Sequence, residues 1–333
     1  MGQPSVPALH AVSDRSVDMA RKLADKKTLT HEGWLELRKS SIGGSEIAAI
    51  LGMNPYSSAI TVYADKHDLS KPIVENEAMR EGRELEWYVA DRYMEKTGKK
   101  VRNDFYVYAD DEYDYMTANI DRRIVGENAG LECKRMLFSA NDYNFEAGEV
   151  PKMYYVQCQW YCMIFGFDHM DFAVWVPGKG VYVVTIPRND DFISDMRSRA
   201  IDFWENNVLA HRMPVPDGSE ASIETLKEIY PKPVENTSVM IPGLDKMVSD
   251  YKELNKMAQE YTKRADQIKA DICRKIGTNE VAIGNDYECS WKMTSRTGFD
   301  KDRLKADHPE IYSKYVTKTS YRKFGAKKHK KEK

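Results

Sequence analysis

Two hydrophobic periodicities alternate along the chain. Through EAMREGRELEWYVADRYMEKTG, Leu85, Val89 and Tyr93 recur every fourth position, which predicts an amphipathic helix with those residues on its inner face. Pro151 opens a second helical stretch, PKMYYVQCQWYCMIFGF, with proline at the first turn. Tyr154, Gln157 and Tyr161 share one face of that helix, and Cys158, Cys162 and Phe165 share another, which is core. The aromatic, alternating runs DFYVYAD and FAVWVPGKGVYVVTIP read as strands, the second as a hairpin around Gly178 and Gly180. Residues 120–125 and 131–136 read as two further strands, joined by a turn at 126–130.

Beyond a Pro-, Gly- and Ser-rich break at 213–222, Pro242 and Gly243 introduce a long helix that ends at Gly277. Its apolar positions fall in heptads. Leu244, Tyr251, Ala258, Ala265 and Ile272 form one row, and Met247, Leu254, Tyr261 and Ile268 the other. Such spacing predicts a helix packed along a partner, either within the chain or between chains. A β-like piece at 280–296 and a mixed segment from residue 300 follow. The pattern divides the chain into a charged, weakly helical extension (1–30), a dense mixed α/β domain (31–212), and a long-helix/β module with a basic tail (213–333).

Composition narrows the class. At 333 residues, with 42% hydrophobic and 31% charged positions, the chain has the apolar content for a sizeable core and is not wholly disordered. The longest apolar run, 161–167, is far below the ~18 residues of a membrane span, and the N-terminus lacks the charged-then-apolar order of a secretory signal. Five cysteines make no CxxC pair and are odd in number. They fit reduced thiols, and with the absent signal they point to a cytoplasmic protein without a membrane partner. No zinc or iron–sulfur spacing can be assembled from them. The net charge of -2 predicts no polyanionic partner. Between 314 and 333, however, nine Lys and Arg stand against one acid, Glu332. That end is either a phosphate-contacting arm or a solvated tail.

Candidate chemistry centres on TANIDRRIVGENAGLECKRM. On a strand, Glu132 and Lys134 point one way and Cys133 the other. An even-numbered turn pairing Val125 with Gly130 would set Asp121 opposite Lys134, on the face of Glu132. Two carboxylates that close together need a cation between them, and an all-oxygen set suits Mg²⁺ or Mn²⁺. The competing reading is a solvated face of surface ion pairs. Glu86 lies beside the apolar stripe of the first helix, so it is expected to be more buried than Glu84. It is either a third acid of this site or a helix-surface residue. Gly82, one turn earlier, marks a close backbone approach. Gln157 is either hydrogen-bonded structure or a site residue.

Gly82-x-x-x-Glu86, Asp121, Glu132-x-Lys134 and Tyr154-x-x-Gln157-x-Gln159, in that order, resemble the YqaJ-like viral recombinase family, which belongs with lambda-type phage exonucleases in the PD-(D/E)XK nuclease superfamily. The stretch WLELRKSSIGGSEIAAILGMNPYSS is similar to that family's opening, and the likeness runs from about Gly33 to Val176. The resemblance implies an α/β (α+β) restriction-endonuclease-like core, a mixed central sheet flanked by helices, with the long-helix module added. It implies that Glu86, Asp121, Glu132 and the Cys133 carbonyl hold Mg²⁺ (or Mn²⁺), that Lys134 positions the attacking water, and that Gln157 supports the metal site or the scissile phosphate. Arg38 and Ser45 match residues that hold a 5′-phosphate, with Tyr154 as a further DNA contact. An arginine fork suits phosphate, and a hydroxyl beside a helix N-terminus supplements it. The plainer alternatives are a surface ion pair for Arg38 and an N-cap for Ser45. The family often has Pro-Asp-Gly at the second acid, where this chain has Ile120-Asp121-Arg122.

The implied activity is 5′→3′ exonucleolytic cleavage of linear double-stranded DNA, leaving 3′ single-stranded overhangs in phage-type recombination. The implied assembly is a homo-oligomeric ring working with a single-strand annealing protein. A structure-specific or nicking endonuclease of the same fold and a non-catalytic DNA-binding scaffold are the alternatives.

Overall fold

The computed structural model describes residues 20–71, 76–137 and 142–328. Residues 1–19 of the expected extension and the last lysines of the basic end lie outside them. The described chain forms two compact units, one reaching Tyr230 and one starting at Pro231.

In the first unit, β2 (Val101–Asn103), β5 (Arg122–Ile124), β6 (Ala129–Arg135), β7 (His169–Val176) and β8 (Gly180–Pro187) form a five-stranded sheet in that spatial order. Only β6 and β7 run parallel. Parallel neighbours require a crossover, and α5 (Lys152–Phe165) lies within it. Strand alternation sends Leu131 and Cys133 toward α4 (Glu77–Thr97), where Val89, Ala90 and Tyr93 pack against them. The opposite face meets α5 through Phe172, Val174, Trp160 and Ile164. This is the mixed central sheet flanked by helices that the motifs imply. At Gly130 an added Cβ would lie 2.6 Å from the Met170 sulfur, so a side chain there would force apart the sheet and the loop after α5.

A second sheet, β1 (Ala20–Asp25), β3 (Tyr106–Asp110) and β4 (Thr117–Ala118), is antiparallel. The weakly helical reading of residues 1–30 fails here, because Ala20–Asp25 is a strand paired to β3. Ladder hydrogen bonds outweigh its modest helical propensity. Helices α1 (His31–Lys39), α2 (Gly44–Ile50) and α3 (Ala59–Lys66) follow. Between α1 and α2 the chain is tied to β4, with the Ile42 amide 2.6 Å from the Tyr115 carbonyl and the Thr117 amide 2.9 Å from that of Ile42.

After α6 (Asp190–Phe203), the break expected at 213–222 does not end the unit. Ser219 caps α7 (Glu220–Ile229), which packs on α3 with Thr225 Oγ1 2.8 Å from Thr61 Oγ1. The expected boundary at 212/213 therefore moves to 230/231. Polar loop composition marks a turn, and tertiary packing decides whether the next helix returns to the same core.

The second unit holds α8 (Leu244–Ile276), introduced by Gly243 and closed by Gly277 as the pattern predicts, then the hairpin β9 (Val281–Ile283) and β10 (Glu288–Ser290), and the short helices α9 (Lys301–Asp307) and α10 (Pro309–Tyr315). Among the described residues no helix is long and apolar enough to cross a membrane.

Candidate active site

Glu132 and Lys134 sit on the α5 face of β6, on the edge of the core, and Cys133 faces α4. Glu132 is buried, with 1% of its surface exposed. Its Oε1 accepts from Gln157 Nε2 at 2.8 Å and is ion-paired with Lys134 Nζ. The same Gln157 nitrogen donates to the Tyr161 hydroxyl at 2.8 Å. Gln157 is thus hydrogen-bonded within the fold, its amide fixing the orientation of a buried carboxylate, and it lines the candidate site. Burial draws the Lys134 ammonium down, but the Glu132 and Asp121 charges overcome it and hold its pKa well above the ordinary value.

Asp121 stands just before β5. The ladder pairs Arg122 with Leu131 and Arg123 with Gly130, which continues to Asp121 beside Glu132. The expected partner, Lys134, is two residues further on. A two-residue shift keeps every side chain on its face, so the shared surface survives the wrong register. Asp121 Oδ2 accepts from the Cys133 amide at 2.8 Å. Burial, then the Glu132 charge, pushes the Asp121 carboxyl well above the usual carboxylate range. The Cys133 thiol is driven up by burial and is inert.

Glu86 is half-buried and Glu84 exposed, as the helix pattern predicts. Glu86 is ion-paired with Arg122, whose Nη1 also donates to the Asp121 carbonyl at 2.7 Å. Gly82 does not mark a close approach, since a Cβ there would meet nothing within 4 Å. It leaves room on the wall of a depression of about 500 Å³ that Glu86, Asp121, Lys134, Tyr154 and Gln157 also line. The Tyr154 ring stacks on Phe172 with centroids 5.3 Å apart, and Lys134 Nζ is 5.5 Å from the Tyr154 centroid.

A narrower cavity of about 200 Å³ adjoins it. Asp121, Glu132, Lys134 and Gln157 line one part, and Arg38, Gly44 and Ser45 another. Close approach of α2 to α5 depends on Gly44, where a methyl group would sit 2.8 Å from the Tyr161 ring. Ser45 is not an N-cap, because that position belongs to Gly43, and its side chain stays exposed in the first turn of α2. Arg38 is not in a surface pair. Its Nη2 donates to the buried Glu46 at 3.1 Å, while Lys66 Nζ lies 2.8 Å from both Glu46 oxygens and donates to the Arg38 carbonyl.

The sequence reading missed Arg122, Glu46 and Lys66. Arg122 was legible as a basic residue beside a candidate acid, and Glu46 as the acid of the Gly-Gly-Ser-Glu run. Lys66 carried no local signal, since only the packing of α3 brings it to Glu46.

The donors suit a hard divalent cation: carboxylate oxygens, a nearby backbone carbonyl and no imidazole. The partly buried Asp121 and the buried Glu132 oppose each other electrostatically, a conflict that a cation between them would remove. Among the described residues no three His, Cys, Asp or Glu side chains already stand together as a ligand set. Glu86 is held by Arg122 and Glu132 by Lys134, so the three acids share walls without converging on a point.

A helix acid, an acid before one strand and Glu-x-Lys on the next thus stand around one depression of a mixed sheet. The YqaJ-like viral recombinase domain matches residues 33–168. The "Uncharacterized protein YqaJ" of Bacillus subtilis (strain 168) is 31% identical over 316 residues, spanning 92% of this chain and 98% of that one. The chain belongs to the YqaJ-like viral recombinase family. Among solved structures, an alkaline exonuclease (LHK-Exo) from Laribacter hongkongensis is 20% identical, with a TM-score of 0.47 over 54% of this chain and 94% of that one. A phage related exonuclease from Haemophilus somnus 129PT is 15% identical, with a TM-score of 0.37 over 51% and 96%.

Proposed function

We propose that the protein is a Mg²⁺-dependent deoxyribonuclease of phage-type recombination that degrades linear duplex DNA from phosphorylated 5′ ends and leaves 3′ overhangs. One observation carries the reading. Arg38 and Ser45, distant in sequence from the acids, line the same small cavity as Asp121, Glu132, Lys134 and Gln157. A phosphate reader that close to the acids restricts cutting to the end of a strand, which is what separates an exonuclease from an endonuclease.

Glu86, Asp121, Glu132 and the Cys133 carbonyl would hold Mg²⁺ (or Mn²⁺), which would supply Lewis-acid polarisation of the phosphoryl oxygens and activation of water. To join that set Glu86 would exchange its pairing with Arg122, whose guanidinium would then face a phosphate oxygen. Gln157 keeps Glu132 in one orientation. The Lys134 ammonium donates to the attacking water and stabilises the charge that develops on phosphorus. Arg38, steadied by Glu46, presents its donor fork to the terminal phosphate, and the Ser45 hydroxyl adds a hydrogen bond. Tyr154 offers a ring edge to the adjacent nucleotide. A ring-shaped homo-oligomer threaded by DNA, handing its overhang to a single-strand annealing protein, completes the proposal.

The test compares 5′-phosphorylated and 5′-hydroxyl linear duplexes in Mg²⁺, with closed circles as control. The phosphorylated end is expected to be degraded at least about 10-fold faster, in line with the worth of a charge-assisted phosphate contact. The preference should vanish in Arg38→Gln. Equal cutting of circles would overturn the exonuclease reading in favour of an endonuclease. Binding without cutting under any divalent metal would leave only the scaffold.

A further inference from the structure

Among the described residues the heptad face of α8 has no partner of its own size within the second unit. Its large apolar members remain open, from Leu244 at 43% exposed and Tyr251 at 47% to Tyr261 at 62% and Leu254 at 65%. Only Ile276, at the helix end, is buried. Among the described residues the chain's own tail touches the row where the Phe324 ring lies 5.3 Å from that of Tyr251. A continuous apolar stripe of this length on a stable helix implies an occupant.

We propose that the occupant is α8 of a second copy of this chain, packed antiparallel about a two-fold axis that passes beside Met257. The charges and volumes along the helix select this arrangement. In an antiparallel pair the two apolar rows face each other and the positions just before the first row pair across the seam. With Met257 opposite its own copy, Leu244 meets Ile268 and Tyr251 meets Tyr261. Each small residue then meets a large one, Ala258 against Leu254 and Ala265 against Met247. Asp250 falls opposite Arg264, twice by symmetry. Sliding one helix by a heptad in one direction sets Asp250 against Asp271 and leaves Met257 against Arg264. Sliding it the other way removes the Asp250–Arg264 pairs and shortens the apolar overlap. A parallel pair stacks Ala258 on Ala258 and Ala265 on Ala265, leaving voids, and brings Arg264 near Lys269. Like charges, voids, or lost pairs and overlap thus count against each of these alternatives, which is how coiled coils specify a partner.

Among the described residues Asp250 is paired with the exposed Lys246 at 2.8 Å, and Arg264 lies over the Tyr261 ring at 5.8 Å. Both are exposed interactions of small worth, open to exchange for the pairing across the seam. The self-complementarity of the patch is what a two-fold interface requires. This pairing is independent of the nuclease reading and of any ring, since it uses neither the sheet nor its cavity.

The experiment is light scattering after size exclusion on the full chain, with charge reversals. Wild type should run at twice the mass of Asp250→Arg and of Arg264→Asp, and the double variant Asp250→Arg with Arg264→Asp should regain the wild-type mass. Helicity by circular dichroism keeps a misfolded variant from being counted as a dissociated one. As a second arm, Met257→Cys, in a chain with Cys273→Ser and Cys289→Ser, should give one symmetric crosslinked dimer with a short bismaleimide, and Lys246→Cys should give little. A wild-type mass unchanged by either reversal, no rescue by the double variant, or preferential crosslinking through Lys246→Cys would each overturn the proposal. A monomer whose heptad face is shielded from labelling would overturn it too, assigning the face to this chain's own segments.

Discussion

Two aspartates flanking β6, Asp171 on β7 and the partly buried Asp121 before β5, meet opposite fates. Asp171 on β7 faces α4, where it accepts from the Tyr93 hydroxyl at 2.6 Å, from Thr185 at 2.7 Å and from Lys99 Nζ at 3.0 Å. Burial opposes its charge, but those three donors win, and its carboxyl lies below the ordinary value. Asp121 beside β6 has the Cys133 amide and a second acid as its neighbours, and its carboxyl is pushed well above that value. Both are costly to bury, and only one is repaid within the fold. Structural acids are surrounded by donors until their charge is settled. An acid left short of donors next to another acid is a place prepared for a cation or for chemistry.

The largest effects should break the comparison at the open site. Lys134→Ala and Glu132→Ala are each expected to lower the rate of DNA cleavage by at least about 100-fold, roughly 3 kcal/mol of barrier, with DNA binding retained in a gel-shift assay. Wild-type rates in either variant would mean that this acid pair is as structural as Asp171. Next in size, Asp171→Ala leaves Lys99 and Tyr93 facing an empty space and should cost about 2 kcal/mol of stability by denaturant titration, while the specific cleavage rate of the folded protein holds. A loss of activity without a loss of stability would reverse the assignment of the two networks.

The pH dependence sharpens the same contrast. Because the folded Asp171 carboxyl is depressed from 3.8, its contribution is complete above that value and fades as pH falls through the lower folded value. The melting gap between wild type and Asp171→Ala should therefore be constant from pH 7 to about pH 4 and close below it. A gap that widened in acid would contradict the sign. The smallest stability effect is that of Asp121→Asn, which keeps an acceptor for the Cys133 amide while removing a like charge. It should raise stability by on the order of 1 kcal/mol and abolish cleavage, a pairing of gain and loss that no structural acid gives. Calorimetry without divalent metal would read the gain.

Much of the site was legible because strand alternation and helix spacing are local rules. They put Glu132 and Lys134 on one face, Glu86 at the edge of a buried stripe, and Gln157 over Tyr161. What failed depended on distant partners. The pairing of β5 with β6 slipped by two residues from the expected register, since turn length alone does not fix where a ladder begins. Residues 20–25 became a strand because β3 offered an open edge, and α7 joined the first unit because α3 received it. Arg122 and Lys66 were invisible as clamps on Glu86 and Glu46, because an ion pair needs a distance and no sequence spacing supplies one.

From residue order alone came the helices and strands, their inner faces, the heptad rows of α8 and the set of residue types able to serve a hard cation. The tertiary structure decided which acid is satisfied and which is left wanting, and it brought Arg38 and Ser45 to the cavity that holds Asp121 and Glu132. The physical reason is range. Side-chain direction follows from backbone period over a few residues, whereas desolvation and Coulomb energy depend on whatever the whole fold places within a few ångströms.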